Sequence, residues 1–196
     1  MTPLATRSTI VSVTNQNFTV RNIAIQPLNT PSKEGMKLIA KARIPKAIRA
    51  SDNETLNTLT KLLAKNFSFV VGTDINFIVL KNQTYSTKNL VCCNGSDALK
   101  SEFDLVVCNL PYLATDQVLD ATTDGGIDGF EIPKKIFDSI YKNVKVGGKF
   151  LFVTSSLSNY QKLMDYAQKL GLSPKILAKK KLFFEELILV EAIKNK

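Results

Sequence analysis

The run Phe103-Asp-Leu-Val-Val-Cys-Asn109, closed by Leu-Pro-Tyr112, constrains the fold more than any other stretch of the chain. Its apolar residues are almost continuous rather than alternating. A strand of that kind is buried on both faces, the condition of a parallel sheet covered by helices. Proline cannot donate to a sheet ladder, so Pro111 ends the strand and stiffens the turn that follows. At the carboxyl end of a parallel strand such a turn faces the ligand crevice. There Asn109 Oδ1 and the Leu110 carbonyl can both accept hydrogens from an amide or amino nitrogen, while Tyr112 packs over a planar group.

From residue 67 onward, strand-like and helix-like segments alternate, which argues for a layered α/β sheet. Residues 67–74 read as a buried strand ending in Gly-Thr-Asp74, with shorter strands over 88–93 and 149–154. Residues 58–65 read as a helix ahead of them. Behind Pro133, the apolar residues Ile136, Phe137, Ile140 and Val144 recur at helical spacing, and Gly147-Gly148 reads as the stop. Ser158 reads as the cap of a further helix whose Tyr160, Leu163, Tyr166, Ala167 and Leu170 share one face and which Gly171 ends. Two last strands, 175–182 and 184–193, read as an antiparallel pair. The expected fold is Rossmann-like α/β: a mostly parallel sheet with an antiparallel C-terminal strand pair.

Composition narrows the chemistry. The 196 residues include no histidine, which removes the usual zinc sites, every Ser/His or Cys/His nucleophile and any imidazole base. Hydrolase chemistry of those kinds is excluded. Cys92, Cys93 and Cys108 lack CxxC spacing and read as small core residues, so no metal site is expected. Of the net charge of +9, residues 1–46 supply 7 − 1 = +6, with Glu34 their single acid, and the remainder 19 − 16 = +3. Residues 1–45 accordingly read as a basic, strand-like N-terminal extension, and 46–196 as the main domain. No apolar run approaches the ~20 residues that cross a bilayer, so a soluble, cytoplasmic protein without a membrane partner is expected.

Asn109-Leu-Pro-Tyr112 is similar to the (Asn/Asp)-Pro-Pro-Tyr signature of methyltransferases that act on planar nitrogens, with Leu110 in place of the first proline. It is followed by Thr123-Asp-Gly-Gly-Ile-Asp-Gly-Phe-Glu131, a helix, and Val146-Gly-Gly-Lys-Phe-Leu-Phe-Val153. In this order the motifs resemble the HemK-like class I methyltransferases, which methylate a glutamine side chain, in their small archaeal and eukaryotic release-factor branch.

That resemblance implies S-adenosyl-L-methionine as cofactor and methyl transfer to a glutamine amide of a translation release factor. It implies Asn109, Leu110, Pro111 and Tyr112 as the catalytic segment, with Asn109 also on the cofactor side. Asp74 and Ile75 would meet the ribose, and Asp97 and Ala98, in Asn94-Gly-Ser-Asp97 and after it, the adenine. It further implies a small zinc-binding activator subunit as partner. One element of the family pattern is absent: the segment leading into residue 58, Ala47-Ile-Arg-Ala-Ser-Asp-Asn-Glu-Thr-Leu56, has no glycine where a Gly-rich loop should approach the cofactor. Two other readings of the same residues stay open. One is a nucleic-acid methyltransferase acting on adenine or guanine amino groups. The other is a non-catalytic scaffold that keeps the fold without the cofactor.

Overall fold

The computed structural model describes residues 22–23, 63, 69–74, 77–82, 89–117 and 124–196. In chain order the elements are β1 (Asn22–Ile23), β2 (Gly72–Asp74), α1 (Phe77–Lys81), β3 (Leu90–Cys92), β4 (Phe103–Asn109), β5 (Leu113–Ala114) and β6 (Asp124–Gly126). A 3-10 turn at Ile127–Gly129 then leads into α2 (Glu131–Tyr141), β7 (Val144–Ser155), α3 (Tyr160–Lys169), β8 (Leu172–Lys181) and β9 (Glu186–Lys194). Of the helix read over 58–65 only Leu63 lies among the described residues; it is helical and 1% exposed.

The largest sheet has the order β4-β7-β9-β8. β4 and β7 run parallel, and β9 is antiparallel to both of its neighbours. Both expectations for this region hold: β4 has the bounds read from its apolar run, and the chain closes on an antiparallel pair. The turn of that pair is longer than expected. It spans residues 182–185, so Phe184 stands in the turn rather than opening the last strand.

A second sheet has the order β1-β2-β3, with β2 and β3 parallel. β1 pairs antiparallel with β2 through Asn22↔Thr73 and Ile23↔Gly72, and it also packs against β4. The slot between β2 and β4 is therefore filled from the N-terminal extension by a strand that runs against β2. Its carboxyl end points to the edge where β2 begins.

Packing explains why the C-terminal half holds together. β7 is buried over residues 150–155, as the Phe-Leu-Phe-Val run requires of an inner strand. Phe150 and Phe152, two residues apart on one face, meet Phe137 of α2 edge-on at centroid distances of 4.9 and 5.0 Å. Phe137 is 1% exposed. Truncating it to alanine is expected to cost about 3–5 kcal/mol in a urea unfolding series, since the ring cluster cannot collapse into the space. A loss below about 1 kcal/mol would mean that α2 settles onto β7 without it.

Three local expectations are corrected. Gly147-Gly148 does not stop α2, which ends at Tyr141; the glycines lie inside β7. The register there jumps from Phe103↔Val144 to Leu105↔Lys149, and Gly147 has φ 74°. A Cβ on Gly148 would stand 2.8 Å from Lys145 O and 2.9 Å from Phe103 O, so the crowded backbone of a bulge, not a helix end, calls for glycine. Asn159, not Ser158, caps α3: its Oδ1 accepts from Lys162 N at 3.1 Å, while the Ser158 hydroxyl donates to Ser155 O. Of the cysteines only Cys108 is a core residue; Cys92 is exposed and Cys93 half-buried. Among the described residues no helix is long and apolar enough to cross a membrane.

Candidate active site

Segment 109–112 leaves the carboxyl end of β4 still attached to the sheet, because Leu110 N–H donates to Val153 O at 3.3 Å. Leu110 and Tyr112 are buried, and Asn109 is half-buried with its Oδ1 out of contact with solvent. The chain then pairs with the glycine-rich segment through Leu113↔Asp124 and Ala114↔Gly126, forming the parallel β5–β6 ladder. Thr115 N–H adds a bond to Gly126 O at 3.1 Å.

These contacts fold the Gly-Gly-Ile-Asp-Gly segment onto the Asn-Leu-Pro-Tyr turn. A Cβ on Gly129 would collide with the Tyr112 carbonyl oxygen and stand 2.7 Å from Ser158 Cβ, and Gly129 has φ 63°. A Cβ on Gly125 would lie 2.8 Å from Gly129 Cα. Close backbone approach is thus the physical reason for glycine at both positions. Asp128, at φ 59°, anchors the other side: its carbonyl accepts from Asn159 N at 2.9 Å and its carboxylate pairs with Lys162 at 2.9 Å. Against this arrangement lies a cavity of about 670 Å³ lined by residues 114–117, Asp124, Ile127 and Asp128.

Asp74 and Asp97 belong to a second cluster. Asp74 ends β2 and is fully buried; Asp97 sits in the turn after β3 and is exposed. Thr73 Oγ1 donates to Gly95 O at 2.8 Å and Cys93 N–H to Asp74 O at 3.1 Å, which ties the ends of these neighbouring parallel strands together. Burial pushes the Cys93 thiol up from its ordinary value, against a weaker lowering by the Ala98 backbone. Ala98 is exposed, and Ile75 lies outside the described residues.

Sequence reasoning missed the groups that hold Asp97. Ser139 Oγ donates to Asp97 Oδ1 at 2.7 Å and accepts from Ser96 N at 2.9 Å. Ser96 Oγ lies 2.9 Å from Ser139 O and 2.8 Å from Asn143 Oδ1, and Asn143 Nδ2 donates to the carbonyls of Leu99 and Ser101. A signal was present: Ser139 and Asn143 lie four residues apart beside the apolar stripe of Ile136 and Ile140, where a helix turns polar residues inward only if they are bonded.

The two clusters stand at different heights along α2. Gly129 and Tyr112 lie by its beginning, whereas Ser139, which holds Asp97, is near its end. Eight residues of helix from Glu131 to Ser139 correspond to about 12 Å. A ligand that uses both must be elongated.

No family model matches the sequence. Over 135 residues the chain is 30% identical to a Methanocaldococcus jannaschii protein provisionally named a protein N5-glutamine methyltransferase; the alignment covers 63% of this chain and 68% of that one. Its fold is similar to that of a chain from the E. cuniculi Mtq2-Trm112 complex, which is responsible for methylation of the eRF1 translation termination factor. The TM-score is 0.61 at 20% identity, over 87% of this chain and 98% of the other. At that identity the likeness speaks to the fold, and it agrees with the Rossmann-like α/β architecture.

Proposed function

Since the chain belongs to the protein N5-glutamine methyltransferase family, an N-methyltransferase family, we propose that it transfers a methyl group from S-adenosyl-L-methionine to a glutamine side-chain amide of a translation termination factor. The observation that carries this reading is the locked turn at 109–112, where a side-chain amide and a backbone carbonyl stand at the carboxyl end of a parallel strand, with a cavity opening at residues 114–117 just after it. Asn109 Oδ1 and the Leu110 carbonyl accept the two hydrogens of the acceptor amide, and Tyr112 packs on its plane. Pro111 fixes the spacing between these groups.

An amide nitrogen is a poor nucleophile, because its lone pair is delocalised into the carbonyl. The chain has no histidine to act as a base. Its contribution is therefore orientation: two acceptors hold the nitrogen with one face open, so little freedom is left to lose on the way to reaction. S-adenosyl-L-methionine, when bound, supplies the methyl group on a positively charged sulfur.

The second cluster fits the adenosine half of that cofactor. Asp74, with Ile75 after it, is assigned to the ribose hydroxyls, and Asp97, with Ala98, to the adenine. A carboxylate at the end of β2 and another in the turn after its parallel neighbour β3, tied together by Thr73 and Gly95, support this assignment. The elongated shape demanded by the offset along α2 suits a nucleoside joined to an amino acid. Residues 46–196 are taken as the methyltransferase-like domain, with β1 added from the extension. The E. cuniculi Mtq2-Trm112 complex supports a Trm112-type partner subunit and a translation termination factor as substrate.

Calorimetry of S-adenosyl-L-methionine with the intact chain tests the reading, with Asp74→Ala as the comparison. The expected result is binding that weakens tenfold or more in the variant, as loss of a charge-assisted hydrogen bond implies. No binding to the unaltered chain at millimolar ligand overturns the proposal.

A further inference from the structure

Four large apolar side chains stand exposed on the edge of the sheet that carries segment 109–112. Ile127 is 65% exposed beside the cavity, Leu157 45% exposed between β7 and α3, and Phe183 and Phe184 are 90% and 82% exposed in the β8–β9 turn. β8 runs antiparallel to β9 and β9 antiparallel to β7, so β8 ends at the same edge as β7 and β4. Three strand spacings separate β4 from β8, about 14 Å.

The pieces of this edge are bonded to one another. Ser155 Oγ donates to Glu185 Oε2 at 2.6 Å, Ser156 N–H to Glu186 O at 2.9 Å, and Glu186 N–H to Ser156 Oγ at 2.9 Å. On the other side Asn159 N–H reaches Asp128 O, next to Ile127. Phe183 and Phe184 stack edge-on with centroids 4.7 Å apart, which presents a fixed aromatic tip. Lys179 beside them is paired with Glu186, whereas Lys180 and Lys181 are exposed with no acid partner among the described residues.

We propose that Ile127, Leu157, Phe183 and Phe184 form the docking surface for the folded protein that carries the acceptor amide, by an apolar patch with an acidic rim that meets Lys180 and Lys181. This rests on the amide-methylation reading. Two facts argue for a polypeptide occupant. An acceptor side chain entering the cavity brings its protein over this edge, and the row continues outward from that cavity. Ile127 and Leu157 are aliphatic, which suits a protein face; a nucleic acid would draw on ring stacking along the whole row. Exposed aromatics rimmed by charge are the usual anchors of such contacts.

The test is steady-state methyl transfer by the full chain, with a Trm112-type subunit present, to an intact eRF1-type termination factor and to a short peptide bearing the same glutamine. The variants are the unaltered chain, Phe183→Ser with Phe184→Ser, and Leu157→Ser. The expected result is a KM for the intact factor raised about tenfold or more in the double variant, with kcat and the peptide reaction unchanged. An unchanged KM for the intact factor overturns the docking surface while leaving the amide chemistry in place. Transfer to neither acceptor by the unaltered chain overturns the amide reading, and the docking assignment with it. A double variant that loses self-association or RNA binding, but keeps its KM for the factor, assigns the surface elsewhere and overturns the proposal.

Discussion

Asn109→Ala is expected to lower kcat for amide methylation by about 10²- to 10³-fold, with S-adenosyl-L-methionine binding reduced much less. The side chain stands where β4 gives way to Leu110, whose N–H is still tied to Val153 O, so its position is set by the sheet rather than by a loop. Its Oδ1 is shielded from solvent, and an acceptor held in that setting is worth far more than one in water. Without it the acceptor amide keeps one partner, the Leu110 carbonyl, and can rotate about that single bond. Asn109→Asp retains an acceptor oxygen and should recover part of the rate. Single-turnover transfer from labelled cofactor measures both, with thermal unfolding as the control for folding. If Asn109→Ala keeps more than a third of the wild-type rate, the orienting role is wrong.

The second large effect is expected at Gly129. Gly129→Ala forces a methyl group into the Tyr112 carbonyl oxygen and against Ser158 Cβ, at a residue whose φ is 63°. The Tyr112 oxygen belongs to the backbone and cannot rotate away. Overpacking and left-handed strain together are expected to cost about 2–5 kcal/mol, and the displaced turn should lose most methyl transfer. Gly147→Ala provides the comparison. Its φ is 74°, yet no atom lies within 4 Å of a Cβ there, so only the conformational strain of about 1–2 kcal/mol applies. The difference between the two variants in urea unfolding isolates the steric contribution. Equal losses would mean that the close approach of Gly129 to Tyr112 carries no energy.

Much of this geometry could be read from the sequence, for identifiable reasons. β4 announces itself because a strand buried on both faces needs an unbroken apolar run, and Pro111 marks its end. The face of α2 formed by Ile136, Phe137 and Ile140 follows from helical periodicity. What could not be read depends on residues far away in the chain. Gly147-Gly148 looks like a helix stop until the carbonyl of Phe103, some 45 residues earlier, is seen to crowd it. Ser158 and Asn159 are both good caps by type, and Ser158 is diverted by the carbonyl of Ser155. The bond from Ser139 to Asp97 spans 42 residues, and no spacing rule reports it. The place of Asn22–Ile23 beside β2 is of the same kind: composition suggests a strand, but not its neighbour or its direction.

The position of β9 has a consequence for how the protein is made. It is hydrogen-bonded on both sides, to β7 and to β8, although it is synthesised after both of them. Until Glu186–Lys194 has emerged from the ribosome, β7 and β8 each show a row of unsatisfied backbone groups, and β7 carries the apolar run Phe150-Leu-Phe-Val153. The nascent chain thus offers a template for pairing with other chains at its least soluble stage. A premature stop at Glu186 should leave an aggregating product rather than a shortened enzyme.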